Sequence, residues 1–233
     1  LRVAEANNFG HDLDAMAKLV DANTRVVFIA NPNNPTGNWL SIVEIEKFLR
    51  QIPQNVIVVL DEAYHEYVDK PDYASGLTIL KQFPNLIVSR TFSKAYGLAG
   101  LRVGYCISNH EIADLLNRLR EPFNVNSLAL AAAEVVLDDA DYLARGLAVN
   151  REGMKQLETG LRDLGLPFVE SAGNFVLVNF SRDAMPLYQE FLREGIILRP
   201  VGVYELPTFL RVSVGLPNQN ARFLEVCKKV LRK

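Results

Sequence analysis

Apolar and polar positions follow two rhythms along the first half of the chain. Short apolar runs rich in β-branched residues, at Arg25–Ala30, Asn55–Leu60, Asn85–Ser89 and Arg102–Ile107, have the length and composition of strands. Between them the apolar positions recur with a helical period. Leu13–Asp21 and Leu77–Gln82 read as short helices. In Ser41–Arg50, Ile42, Ile45, Phe48 and Leu49 share one face, and Ser41 with Glu44 makes a capping-box pattern. In Glu111–Leu119, Ile112, Leu115, Leu116 and Leu119 are in phase. Strands apolar on both faces and separated by helices predict an α/β fold: a mostly parallel sheet with helices on both faces. The first few residues read as one more extended segment.

The pattern changes after about residue 125. Ser127–Asp138 and Tyr142–Leu164 read as helices, the second long, and Gly165–Pro167 breaks the chain. Next come a strand at Asn174–Phe180, a helix at Met185–Glu194, short strands near Ile196–Arg199 and Phe209–Val214, and a last helix at Gln219–Leu231. This predicts the remainder of a large α/β domain over 1–138, a connecting helix over 139–164 and a smaller C-terminal α+β domain over 165–233.

Composition narrows the possibilities. The chain has 233 residues, 49% of them hydrophobic and 22% charged, as in an ordinary globular protein. The net charge of −2 comes with no basic stripe, which argues against nucleic acid as a partner. No apolar run has membrane-spanning length. The opening residues carry no signal-peptide pattern and no Met, so cytoplasm is the default location and an upstream portion is expected. The two cysteines, Cys106 and Cys227, have no metal spacing and are expected as reduced thiols in apolar surroundings. Neither do His11, His65 and His110 have metal spacing, and no G-x-G-x-x-G follows a strand as dinucleotide binding would require.

In a parallel α/β sheet, ligands bind beyond the carboxyl ends of the strands. Three such ends here carry unusual polar sequence: Asn31-Pro32-Asn33-Asn34-Pro35-Thr36-Gly37, Asp61-Glu62-Ala63-Tyr64 and Arg90-Thr91-Phe92-Ser93-Lys94. Singly these residues are unremarkable. Asp61 could cap the next segment, Lys94 could be a solvated surface lysine, Asn34 a turn residue and Tyr64 a core aromatic. If the strands are neighbours, all four converge on one crevice. An amine there can form a Schiff base with a carbonyl, and a carboxylate can pair with a cationic ring nitrogen.

Those segments, with Gly100-Leu101-Arg102-Val103-Gly104 and Phe209-Leu210-Arg211-Val212-Ser213-Val214-Gly215, resemble the fold-type I pyridoxal-phosphate (PLP) aminotransferases, which have the aspartate-aminotransferase fold. The resemblance covers nearly the whole chain. Asp61-Glu62-Ala63-Tyr64-His65-Glu66-Tyr67 and Phe92-Ser93-Lys94-Ala95-Tyr96-Gly97-Leu98-Ala99-Gly100-Leu101-Arg102 are most similar to the histidinol-phosphate aminotransferase branch.

The resemblance implies that pyridoxal 5'-phosphate is the cofactor and that Lys94 carries it and shuttles protons. It implies that Asp61 pairs with the pyridine nitrogen, that Tyr64 and Asn34 bond the ring's phenolic oxygen, and that Thr91, Ser93 and Arg102 hold the phosphate. Arg211 would bind the anionic end of the substrate, with Asn174 beside it. The implied reaction is amino transfer between L-histidinol phosphate and 2-oxoglutarate in histidine biosynthesis, by a cytoplasmic homodimer. An aromatic aminotransferase, a threonine-phosphate decarboxylase or a catalytically silent fragment are the alternatives. The family's N-terminal arm, its glycine-rich phosphate turn and its ring-stacking aromatic have no counterpart upstream of Asn34, so the chain reads as lacking the N-terminal part.

Overall fold

A computed structural model describes residues 9–231; the expected extended segment at the start of the chain lies outside them. Contacts divide the chain into two compact units, one comprising 9–33 and 39–144, the other 34–38 and 145–231.

The first unit is built on a four-stranded sheet. Strands β1 (Val26–Ala30), β2 (Ile57–Asp61) and β3 (Leu86–Thr91) are parallel neighbours in that order, and β4 (Gly104–Ile107) closes the row antiparallel to β3. Period-2 alternation sends Ile29, Val58, Leu60, Leu86 and Val88 to one face. There they pack with Met16 of helix α1 (Leu13–Leu19) and with Ile45, Phe48 and Leu49 of helix α2 (Ile42–Leu49). Helix α2 starts where its sequence dictates. Glu44 N–H donates to Ser41 Oγ at 3.3 Å and Ser41 N–H to Glu44 Oε2 at 2.8 Å, which satisfies two free amides of the first turn. On the opposite face of β1, Phe28 is 70% exposed.

Two expectations change in this unit. Leu77–Gln82 is not one helix but two 3-10 turns, Gly76–Thr78 and Leu80–Gln82. Ser75 Oγ caps the first by accepting from Leu77 N–H at 3.1 Å, while the Glu62 carboxylate takes the Gly76 N–H at 2.6 Å. Cys106 is exposed on β4 rather than enclosed by apolar side chains; Cys227 is buried, and burial pushes its thiol up to about 12. Beyond β4 come α3 (His110–Leu119) and α4 (Ser127–Asp138), and Ala129 and Ala133 of α4 pack with Phe92 and Val103.

The boundary between the units falls within the long helix α5 (Ala140–Asp163). The second unit is an antiparallel sheet of β5 (Phe168–Val169), β6 (Phe175–Asn179), β8 (Phe209–Ser213) and β7 (Arg199–Pro200), in that spatial order. The two-residue β5 is too short to leave a periodic signal in the sequence. Helices α6 (Ala184–Arg193) and α7 (Pro217–Leu231) pack with Leu157 and Leu161 of α5 over Val176, Val178, Leu210 and Val212. Phe191 is fully buried at the centre, with its ring centroid 5.9 Å from those of Phe180 and Phe223. Phe191→Ala therefore removes about 3–5 kcal/mol of stability, to be read as a lower denaturant midpoint at unchanged slope.

Candidate active site

In the first unit the sheet brings together most of the residues singled out in the sequence. Asp61 is the last residue of β2, pairs in register with Ser89 of β3, and is exposed at the strand end. Its Oδ1 accepts from Ala63 N–H at 3.1 Å, a local bond that fixes the carboxylate's direction. Tyr64 follows and is 5% exposed. Thr91 ends β3, and its Oγ1 accepts from Ser93 N–H at 3.0 Å. The chain then turns through Lys94, whose carbonyl accepts from Gly97 N–H at 3.0 Å. Gly97 has φ +72°, and a Cβ there would run into the Tyr142 hydroxyl, so this turn needs glycine. Lys94 Nζ lies 5.4 Å from the centroid of the Tyr64 ring.

Arg102 returns to the same turn. It is a non-glycine residue in left-handed conformation, at φ 53°, a local cost of order 1 kcal/mol that the surrounding loop sustains. Its Nη1 donates to Ala99 O at 2.8 Å and to Ser93 Oγ at 3.3 Å. A guanidinium, two hydroxyls and an exposed loop form the donor set that an anion such as a phosphate needs.

Behind the strand ends is a polar cluster that sequence reasoning did not single out. Glu62 is fully buried, and Arg90 meets it with Nε at 2.8 Å and Nη2 at 2.7 Å from Oε2. Ser75 Oγ donates to the same oxygen at 2.8 Å and accepts from Arg90 Nη2 at 2.9 Å. Arg90 Nη1 also reaches Glu66 Oε1 at 3.5 Å. Burial raises the Glu62 carboxyl above its ordinary range, against the opposing pull of Gly76 N–H and Arg90; burial likewise raises Glu66. A sequence signal did exist: Glu62 and Arg90 are opposite charges two residues and one residue past the two neighbouring apolar runs.

His65 borders this cluster, with Nδ1 3.1 Å from Tyr73 Oη. Burial, and then the Arg90 charge, lower its pKa from 6.5 to about 4. The unfolded chain therefore takes up a proton near pH 6.5 that the folded chain resists. Stability is complete above pH 6.5 and declines as pH falls toward 4, by on the order of 2 kcal/mol after solvent screening. Denaturant midpoints at pH 7 and pH 5 should diverge, and His65→Gln should shrink the difference.

In the second unit, Arg211 of β8 lies with its guanidinium carbon 4.9 Å from the centroid of the Phe175 ring. Its Nη1 donates to Asn34 Oδ1 at 2.5 Å, which leaves the Asn34 amide nitrogen as a donor. Arg211 Nε is buried and has no hydrogen-bond partner among the described residues. An unmatched buried guanidinium N–H is costly, and an anionic ligand would satisfy it. Asn174 lies one residue before β6 and is tied to the strand pair through its carbonyl, which accepts from Val214 N–H at 2.9 Å. The 34–38 loop is held close to the second sheet: Ala172 N–H donates to Gly37 O at 2.9 Å, and Gly37, at φ +86°, faces Ser171 with no room for a Cβ.

A profile of the family described as Aminotransferase class I and II matches residues 1–226. The chain belongs to this family. It is 59% identical over 230 residues to histidinol-phosphate aminotransferase 2 of Pseudomonas fluorescens, covering 99% of this chain and 62% of that protein. It is 54% identical to histidinol-phosphate aminotransferase 1 of Idiomarina loihiensis, covering 97% and 61%. The chain thus spans about three-fifths of the length of these curated relatives. Among solved structures, the histidinol-phosphate aminotransferase of Sinorhizobium meliloti in complex with pyridoxal-5'-phosphate superposes with a TM-score of 0.92 at 32% identity, over 100% of this chain and 64% of that one. A mutant aspartate aminotransferase of Thermus thermophilus, at 21% identity and TM-score 0.86 over 99% of this chain and 67% of that one, shares the fold. The architecture is therefore that of the fold-type I aminotransferases, an α/β sheet unit with a separate antiparallel-sheet unit. Among the described residues, no helix is long and apolar enough to cross a membrane, and no cluster of His, Cys, Asp or Glu could hold a metal.

Proposed function

We propose that the full-length protein is a pyridoxal-phosphate-dependent aminotransferase, exchanging the amino group between L-histidinol phosphate and 2-oxoglutarate in histidine biosynthesis, as a cytoplasmic homodimer. The observation that carries this reading is the placement of Lys94 Nζ over the Tyr64 ring, with Asp61 at the end of the neighbouring strand. The names of the relatives at 54–59% identity support the choice of substrate, and the cofactor of the Sinorhizobium meliloti enzyme supports the choice of cofactor.

The residues present fit that cofactor. Asp61 offers a carboxylate to a ring nitrogen, Tyr64 a phenol to the ring oxygen, Lys94 an amine to the carbonyl, and Thr91, Ser93 and Arg102 donors to the phosphate. When bound, the cofactor supplies an electron sink for the substrate's Cα. The protein's own residues do the rest. The Asp61 anion keeps its ring partner protonated. With the cofactor in place, Lys94 Nζ would hold and move the proton at the substrate's Cα as general base and then acid. Arg211 orients the substrate by its anionic end, for which its unmatched Nε is suited.

Amino transfer from L-histidinol phosphate to 2-oxoglutarate, measured as glutamate formed by the full-length protein, tests this. The expected kcat/KM exceeds that for L-histidinol, which lacks the phosphate, by about 100-fold or more, because a site built for an anionic group rejects a substrate lacking it. Equal values, or release of carbon dioxide from O-phosphothreonine in place of amino transfer, would contradict the substrate assignment.

A further inference from the structure

We propose that the buried Glu62–Arg90 ion pair is a positioning device for the cofactor site: it locks the carboxyl ends of β2 and β3 together so that Asp61 and Lys94 keep a fixed separation. The inference rests on the reading of Asp61 and Lys94 as cofactor residues.

The register places the pair where it can do this. Strands β2 and β3 run in parallel up to Asp61 opposite Ser89, and Glu62 N–H still donates to Ser89 O at 3.0 Å. Glu62 and Arg90 are each one residue beyond that last pair. By strand alternation their side chains lie on the face opposite Asp61 and Ser89. Past this point the ladder ends and the two chains diverge, one toward Tyr64 and the other toward Lys94. A side-chain bond across the strands takes over where backbone pairing stops.

The pair also gathers the neighbouring segments. Glu62 Oε1 accepts from Gly76 N–H at 2.6 Å and Oε2 from Ser75 Oγ at 2.8 Å, which anchors the loop before the first 3-10 turn. Arg90 reaches Ser75 and Glu66, the latter two residues after Tyr64. Asp61, Tyr64 and the turn bearing Lys94 are thereby fastened to one point. A fully buried carboxylate is costly to desolvate, and replacing such pairs by apolar residues often does not lower stability. Stability is thus a weak reason for this pair, and geometric definition a better one. Reacting groups tolerate little displacement: an error of ~1 Å costs about 100-fold in rate.

The test uses the full-length holoenzyme and its Glu62→Gln variant, which keeps the side chain's shape but removes the charge and one of its two acceptor oxygens. Three quantities are compared: the dissociation constant for pyridoxal phosphate, the pH midpoint of the bound cofactor's visible absorbance, and the melting temperature of the cofactor-free protein. The proposal predicts a dissociation constant raised about tenfold and a midpoint moved by about half a pH unit or more, because the charges around Lys94 shift. A purely structural role would lower the melting temperature alone and leave the midpoint in place, and that outcome overturns the proposal. Ser75→Ala removes one hydroxyl shared by the pair and predicts changes of the same sign, about threefold in affinity. Wild-type values in Ser75→Ala overturn the proposal even where Glu62→Gln fails to fold. Absence of cofactor absorbance in the unaltered protein would instead sink the functional reading itself.

Discussion

On the proposed reading, Lys94→Ala in the full-length protein lowers the rate of amino transfer by about 10⁴-fold or more, because one substitution would remove both the covalent hold on the cofactor and the proton carrier at Cα. The fold should barely register the change. Lys94 is exposed on a turn that is closed by its own carbonyl and the Gly97 N–H, both of which alanine retains. Exposed substitutions of this kind stay within about 0.5 kcal/mol. Loss of activity with an unchanged denaturation curve is therefore the expected pair of results. Lys94→Arg sharpens the test. It keeps a positive charge near the Tyr64 ring, but a guanidinium stays protonated and is not a nucleophile at neutral pH. Substantial activity in Lys94→Arg would mean that Lys94 acts only as a charge.

Asp61→Asn is the second large effect. The asparagine can still accept from Ala63 N–H through its Oδ1, so the turn after β2 should form as before. What is lost is the negative charge at the strand end. If the bound cofactor's ring nitrogen is its partner, as proposed, deleting one member of that covered charge pair costs about 2–5 kcal/mol, or roughly 30- to 5,000-fold in rate where the pair acts in the transition state. The loss should fall mainly on kcat, since the proposed phosphate donors Thr91, Ser93 and Arg102 are left in place to hold the cofactor. A variant whose only defect is a higher KM would show that Asp61 contributes to binding and not to the electron sink.

The parts of this fold that were legible in the sequence are those governed by local rules. The capping box of Ser41 and Glu44 marked the start of α2, and the apolar runs marked β1, β2 and β3 because buried parallel strands leave few polar interruptions. The polar tails of those runs marked the candidate site because strand ends are where side chains of adjacent strands meet. What escaped notice depends on partners distant in sequence. Two 3-10 turns, Gly76–Thr78 and Leu80–Gln82, stand in place of a helix, and the start of the first is held by Glu62, fourteen residues back, which accepts the Gly76 N–H. The contact of Arg211 with Asn34 joins residues 177 apart, so no window of sequence could display it. The approach to the antiparallel β4 passes through Arg102 in a left-handed conformation, which its residue type does not advertise. The role of Arg90 was hidden by its place beside the more conspicuous Thr91-Phe92-Ser93-Lys94.

The proposed function stands or falls with Lys94 as the lysine that holds the cofactor. The most direct test adds pyridoxal phosphate to the full-length protein, reduces with borohydride to fix the cofactor to whichever amine carries it, and maps the modified peptide by mass spectrometry. One modification per chain is expected, confined to Lys94 and lost in Lys94→Ala. Modification scattered over surface lysines, or concentrated on a lysine other than Lys94, would contradict it.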